Sequence, residues 1–169
     1  MSVCPICDFP ETNDLRAILD RIENTGGGDL IVNLACDFAE RIIDVTPRSD
    51  SSYKWLLAAR RCGGARISAS KALSAAWVAA EAATGTASNA AWAVWHAVGT
   101  AETPTGAKAI NAAADAALAA QYLPGGSSDS EQEWQLEHTR KLACICSILV
   151  PTPLDARSRN SLLASLSPF

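Results

Sequence analysis

Apolar side chains recur at helical spacing from residue 15 onward. The first stripe consists of Leu15, Ile18, Leu19 and Ile22. These positions correspond to i, i+3, i+4 and i+7, which places the four side chains on one face of a helix. Thr12 or Asn13 is the expected N-cap, and the glycine run at 26–28 ends the helix. The segment therefore predicts an amphipathic helix.

A second stripe has the same period and consists of Leu34, Phe38, Ile42 and Val45. We expect Asp37 and Arg41, four residues apart on an adjoining face, to form an ion pair. The β-branched run LIVNLA at 30–35 continues into this helical period without a turn signal. The pattern predicts a second helix rather than a strand.

Alanine dominates the middle of the chain, where it fills 26 of the 63 positions between residues 58 and 120. It is the strongest helix former, and its small side chain lets helix backbones approach closely. Trp77, Trp92 and Trp95 stand among these alanines, and we expect their rings to fill the space between helices. Glycine and proline breaks separate the helices predicted at 67–83, 87–100 and 106–122.

Three further helices are expected: one from Ser51 or Ser52, one through 131–150, and a short one after Asn160. The buried stripe of the second of these consists of Trp134, His138, Leu142, Ile145 and Leu149. Together the patterns predict a single-domain, all-α, alanine-rich bundle of about seven or eight helices. We divide the chain into an N-terminal segment, 1–28, packed on the domain, and a helical domain, 29–169.

The charge and hydropathy of the chain argue against two classes of partner, nucleic acids and membranes. The formal net charge is -4, from 18 acidic and 14 basic residues, whereas nucleic-acid binding needs clustered Lys and Arg. We therefore expect no nucleic-acid partner. The sequence has no secretory leader and no apolar run long enough for a membrane span. We expect a cytoplasmic protein without a membrane partner.

The cysteines offer one metal hypothesis. Cys4 and Cys7 have the two-residue spacing of a zinc half-site. The remaining ligands would have to come from other cysteines or a histidine, and none of the other cysteines repeats that spacing. The alternative is that Cys4 and Cys7 are ordinary thiols and the protein has no cofactor.

His96 is the first candidate for chemistry. It shares a helix face with Trp92 and Gly99, so its ring should lie against an aromatic near a point where another backbone comes close. A lone histidine in a helical core is usually a hydrogen-bonding structural residue. The alternative is an acid/base or ligand-contacting role, with Glu102 and Asp115 as its neighbours.

A second histidine, His138, lies beside Glu133 and Glu137. This grouping lacks the Glu-x-x-His spacing of four-helix di-metal sites, because position 135 is Gln. Arg60 and Arg61 belong to the main basic cluster, which would complement a helix C-terminus or hold an anion. Phosphate-binding loops and serine-nucleophile motifs are missing. The catalytic candidates are therefore His96, Glu102, Asp115 and His138, without an assigned reaction.

Four sequence pieces carry a family resemblance: CDFAERII, AARRCGG, WHAVGTAETPTGAKA and EWQLEHTRKL. In this order they resemble the Imm-5-like family of immunity proteins from polymorphic toxin systems, over about residues 34 to 145. The resemblance implies an all-helical domain that neutralises a toxin by binding it. Family members carry further histidines near the positions of Glu102 and Gly106, where this chain departs and keeps His96 alone.

Two functions stay open at this point. The first is a binding module that docks on a protein partner, such as a toxin, through the acidic residues Asp129, Glu131, Glu133 and Glu137. The second is an enzyme or small-molecule binder with a pocket at His96, walled by Trp77, Trp92 or Trp95. Small-residue helix faces also favour self-association, so a homodimer is a third option.

Overall fold

The computed structural model describes residues 14–45, 49–61 and 66–149. Its α-helices are α1 (Leu15–Asn24), α2 (Gly28–Glu40), α3 (Ser49–Arg61), α4 (Arg66–Ala82), α5 (Thr86–Thr100), α6 (Gly106–Ala120) and α7 (Ser128–Leu149), with a 3-10 turn at Ile43–Val45. These ranges contain no strand. The predicted all-α bundle is confirmed, and the helix expected after Asn160 lies outside the described residues.

The helix bounds agree closely with the sequence pattern. The helices predicted at 67–83 and 87–100 are observed at Arg66–Ala82 and Thr86–Thr100. The start of α1 differs, because Asp14 is its N-cap and accepts a hydrogen bond from the backbone N–H of Arg16 at 2.9 Å. Aspartate favours this position because its carboxylate binds the exposed N–H groups of the first turn.

The centre of the bundle is the pair formed by α5 and α6, which fold back on each other and also pack against α2. The buried alanines of this pair include Ala90, Ala93, Ala97, Ala109, Ala112 and Ala116. Larger side chains from α1 and α2 close the core around them, among them Leu19, Ile22, Leu34 and Phe38. Alanine thus brings the helices together, and leucine, isoleucine and phenylalanine supply most of the apolar volume.

Gly106 lies at a close approach of α6 to α1. A Cβ added there would lie 2.9 Å from Oδ1 of Asp20 and 3.2 Å from the backbone carbon of Leu19. The backbone N–H of Gly106 also donates to Oε2 of Glu23 at 2.6 Å. Gly99, where the sequence predicted a close backbone, is different, because a Cβ there would meet only the side chains of Leu73 and Lys108, at 3.6 Å or more.

The helices α6 and α7 hold α1 on one side of the bundle, since α1 contacts both. In the described part of the chain, no helix has the length and apolar character needed to cross a membrane.

Candidate functional site

His138 joins α7 to α2. Its Nε2 lies 2.8 Å from Oδ2 of Asp37, and the other oxygen of that carboxylate accepts a hydrogen bond from Arg60 at 2.6 Å. Arg60 also pairs with Glu40 at 2.8 Å. The predicted pairing of Asp37 with Arg41 is wrong, because two longer-range partners on α3 and α7 occupy the Asp37 carboxylate.

Arg41 instead faces α7. Its Nε donates to Oε2 of Glu131 at 2.9 Å, and its guanidinium lies 4.0 Å from the centre of the Trp134 ring. Trp134 stacks on His138 with ring centroids 4.6 Å apart and an interplanar angle of 14°. Phe38 meets the same indole edge-on. These aromatic and charged contacts fix the rotation of α7 against α2.

Cys36 lies next to this network but has no nucleophilic character. Its thiol is fully buried and is 3.8 Å from the carbonyl oxygen of Leu56. Burial raises the pKa of the Cys36 thiol to about 12, although the nearby Arg60 guanidinium acts in the opposite direction. A reactive cysteine needs an accessible thiolate near neutral pH. Cys36 is therefore not available as a nucleophile near neutral pH, and Asp37, Arg60 and His138 link α2, α3 and α7 through their side chains.

The three tryptophans of the alanine-rich region form a cluster between α4 and α5. Trp77 meets Trp92 and Trp95 edge-on at 5.3 and 5.2 Å, and Trp92 meets Trp95 at 5.4 Å. Trp77 remains 43% exposed, and the other two are half-buried. The rings therefore fill space between α4 and α5, as expected, but they do so at a partly exposed edge of the bundle and not in its core.

His96 sits beside that cluster and faces α6. Its ring lies 4.7 Å from Trp95 and 6.5 Å from Trp92, and its Nε2 is 3.6 Å from Oδ2 of Asp115. Burial, and then the charge of Lys108, lower the pKa of His96. Burial raises the pKa of Asp115 to about 6. Of the two predicted neighbours, Asp115 is thus the one that the fold brings to His96.

Glu102 belongs to the turn that follows α5. Its backbone N–H donates to the carbonyl oxygen of Gly99 at 3.3 Å. Lys108 closes the same helix end, where its Nζ donates to the Gly99 carbonyl at 3.0 Å and to Oγ1 of Thr103. A lysine at a helix C-terminus compensates the exposed carbonyls. The structure therefore gives Lys108 a helix-capping role at this end of α5.

A groove of about 800 Å³ lies between the N-terminal end of α1, α6 and α7. Apolar residues of all three helices line it, including Leu15, Ile110, Ala113 and Leu136. Its acidic side chains are Asp14, Asp129, Glu133 and Glu137, and Arg140 adds one cation to the described lining. The volume falls within the range of ligand pockets in proteins. We refer to this feature as the acidic groove.

Three of the carboxylates form a row along α7. Asp129, Glu133 and Glu137 are spaced by four residues, so each lies about 6 Å further along the helix axis. All three residues are exposed. Within the described ranges, no ion pair or side-chain hydrogen bond involves any of these three carboxylates. Like charges one turn apart destabilise a helix, so this row raises the energy of the unbound fold.

Gln135 lies at the buried side of the acidic groove. It is 1% exposed, and its Nε2 donates to the carbonyl oxygen of Ala113 at 3.0 Å and to Oε1 of Glu131. This residue was not among the predicted site residues, although it stands in the sequence run WQLEH. The sequence does not reveal this role, because the burial of Gln135 and its hydrogen-bond partner on another helix are known only from the fold.

The acidic residues singled out from the sequence separate into two groups. Glu133 and Glu137 line the acidic groove, as predicted for a partner-binding surface, together with Asp129. Glu131 is only 5% exposed and pairs with Arg41. Burial raises the pKa of Glu131, and the contact with Arg41 opposes that shift. Glu131 therefore holds α7 against α2 and is not available to a partner.

The described residues contain no group of three or more His, Cys, Asp or Glu side chains that could hold a metal ion. Glu133 and Glu137 line the groove, while His138 faces α2. Cys4 and Cys7, the residues of the zinc hypothesis, lie outside the described residues.

Comparisons with protein-family models, curated proteins and solved structures find no match to this chain. The resemblance to Imm-5-like immunity proteins therefore stays a prediction, and the acidic groove is interpreted from its own geometry.

Proposed function

We propose that this protein is an immunity-type binding protein that neutralises a protein partner, such as a toxin, by docking onto it. The observation that carries the proposal is the acidic groove, in which exposed carboxylates surround an apolar floor. Protein interfaces combine these features, since buried apolar contacts supply affinity and charges at the rim steer association and select the partner. The docking surface is built from α1, α6 and α7.

The electrostatics of α7 support this assignment. The carboxylates of Asp129, Glu133 and Glu137 form no ion pair among the described residues, and a cationic partner would pair with them. The groove walls are rigid, because Gln135 bonds α7 to α6 and His138 bonds α7 to α2. A preorganised surface of this kind loses little conformational entropy when it binds.

The alternative, a catalytic or small-molecule pocket at His96, has weaker support. The rings of Trp77, Trp92 and Trp95 contact one another. The ring surfaces buried in these contacts are not available to line a pocket. His96 is not among the residues that line the acidic groove. At His96, the contact with Asp115 is the feature that favours acid/base chemistry.

The proposal is tested by co-expression. Bacteria that produce a toxin domain encoded next to the gene for this chain are grown with and without the chain, and growth is measured. We expect the wild-type chain to restore growth. The charge-reversed variant Glu133→Lys/Glu137→Lys should restore growth poorly, because it places cations where a cationic partner surface docks.

The matched control is Glu81→Lys, which reverses one exposed carboxylate on α4, a helix that packs against α3 and α5. This control should restore growth as the wild type does. The proposal fails if the wild-type chain gives no protection and no complex with the toxin domain forms in sizing chromatography. It also fails if both charge-reversed proteins protect equally well.

A further inference from the structure

His96 and Asp115 face each other across α5 and α6, the two helices at the centre of the bundle. Nε2 of His96 lies 3.6 Å from Oδ2 of Asp115, which is longer than a hydrogen bond. The same two atoms of His138 and Asp37 are only 2.8 Å apart. All four side chains are partly buried, with exposed fractions between 12% and 23%. The two pairs therefore share their chemistry and differ in distance.

The two carboxylates also differ in their surroundings. Asp37 accepts a hydrogen bond from Arg60 at 2.6 Å, so a permanent cation neutralises it whether His138 is charged or not. Within the described ranges, His96 is the only side chain that pairs with the Asp115 carboxylate. Burial of an ionised carboxylate without a permanent cation is unfavourable. A proton taken up by the pair of His96 and Asp115 removes this penalty.

Few other charges lie near the pair on its own two helices. Between Thr86 and Thr100, α5 contains no Asp, Glu, Lys or Arg, and α6 carries only Lys108 besides Asp115. The Lys108 ammonium is bound to the carbonyl oxygen of Gly99 at the end of α5. Burial, and then this charge, lower the pKa of His96 below its ordinary value of 6.5.

The other elements packed on α5 or α6 are α1, α2, α3, α4, α7 and the 3-10 turn. Their described charged groups include Glu23, Asp37, Glu40, Arg60, Glu81 and Glu131. None of these groups contributes to the pKa shift of His96 or of Asp115. Burial raises the pKa of Asp115 to about 6. The two groups therefore titrate over overlapping ranges, and they bind protons as a coupled pair.

We propose that His96 and Asp115 form a proton-dependent contact between α5 and α6, in which one proton held between Nε2 and Oδ2 joins the two side chains and its loss separates them. The proton comes from solvent. An imidazolium can donate it to the carboxylate, and a carboxylic acid can donate it to the neutral imidazole, so one hydrogen bond forms in either case. The 3.6 Å separation corresponds to the pair without this proton.

The contact extends to the partly exposed edge of the bundle. The ring of His96 lies 4.7 Å from the ring of Trp95, which belongs to the tryptophan cluster between α4 and α5. Movement of the imidazole toward Asp115 changes its contact with Trp95. A fall in pH from about 7 to about 5 therefore joins α5 to α6 and alters the surroundings of the cluster, so the pair acts as a pH-sensitive switch within the fold.

The test is an NMR titration of the full chain from about pH 8 to about pH 5. The chain has two histidines, and His96→Gln identifies which imidazole signal belongs to His96. At pH 8, the ring nitrogen signals of His96 should show the proton on Nδ1, because the Nε2 lone pair faces the carboxylate in the separated pair. The indole N–H signal of Trp95 should move with the same midpoint as His96. A proton on Nε2 at pH 8, or a Trp95 signal that does not follow His96, would overturn the proposal.

The role of the carboxylate is tested with Asp115→Asn, which keeps the size of the side chain. This variant should lower the titration midpoint of His96 by about one pH unit, because it removes the negative charge that favours the imidazolium. The pH-dependent movement of the Trp95 signal should disappear over the original range. Glu81→Gln, at an exposed position of α4, is the matched control and should leave both titrations unchanged. Midpoints of His96 that agree between Asp115→Asn and this control would show that the two side chains do not share a proton. The wild-type titration decides the proposal by itself if a variant fails to fold.

Discussion

Nε2 of His138 lies 2.8 Å from Oδ2 of Asp37, although the two residues are 101 positions apart in sequence. The same carboxylate accepts a hydrogen bond from Arg60, so one side chain of α2 holds both α3 and α7. The far side of α7 carries the carboxylates of the acidic groove. The position of the groove rim therefore depends on a contact made on the opposite face of the helix.

Replacing Asp37 tests how strongly these contacts hold α3 and α7 to α2. Asp37→Asn keeps the size of the side chain but removes the charge that pairs with Arg60 and faces His138. We expect the free energy of unfolding to fall by about 1–3 kcal/mol, because largely buried charged hydrogen bonds lose strength when one partner becomes neutral. Urea denaturation at pH 7 measures the change. Glu81→Gln on the exposed face of α4 is the control, and a loss no larger than in this control would contradict the structural role.

The helices could be predicted from sequence because their signals are local. The stripe of Leu15, Ile18, Leu19 and Ile22 requires only the helical period, and all of these residues except Leu15 are fully buried in the fold. The breaks at glycine and proline depend on backbone chemistry that acts within a few residues. Such signals determined the bounds of α4 and α5 to within a residue.

The partners of Asp37 could not be predicted in the same way. The sequence pattern points to Arg41, four residues away, but Asp37 contacts Arg60 and His138 on two other helices. Which helices meet, and at what rotation, depends on packing of the whole bundle. The acidic groove has the same origin, because α1, α6 and α7 each supply part of it. Glu133 and Glu137 were predicted from their charge alone, whereas Gln135 acquires its role from the carbonyl of Ala113.

Replacing glycine with alanine should have opposite effects on the free energy of unfolding at Gly106 and at Gly99. Gly106→Ala places a methyl group 2.9 Å from Asp20 and 3.2 Å from the backbone of α1, so we expect a loss of about 1–3 kcal/mol in the free energy of unfolding. In Gly99→Ala, the methyl meets only side chains at ordinary contact distance. This variant should gain about 0.5–1 kcal/mol, because alanine favours the helix. Urea midpoints of the two variants provide the comparison, and changes of the same sign would refute the assigned packing.

Cys36 should resist alkylation as long as the protein is folded. Its thiol is fully buried, and burial raises its pKa to about 12, so the thiolate that reacts is scarce at pH 8. We expect iodoacetamide to modify Cys36 readily in denaturant and much more slowly in buffer, because the folded protein excludes the reagent from the thiol. Peptide mapping by mass spectrometry measures this. Half-buried Cys144 serves as the internal comparison, and modification of Cys36 at the rate of Cys144 would show that the interior is open.

The raised pKa of Asp115 should make the stability of the fold depend on pH. Burial raises the pKa of its carboxyl from 3.8 to about 6 in the folded protein, so the folded state binds the proton more tightly than the unfolded state does. This group therefore destabilises the fold increasingly as the pH rises from about 4 to about 6. Asp115→Asn removes the titration, and the variant should gain stability relative to the wild type across that interval, with little further change up to pH 8. Urea denaturation of both proteins at each pH measures the difference. A variant that loses stability relative to the wild type as the pH rises would instead mean that ionised Asp115 stabilises the fold through His96, which lies 3.6 Å away.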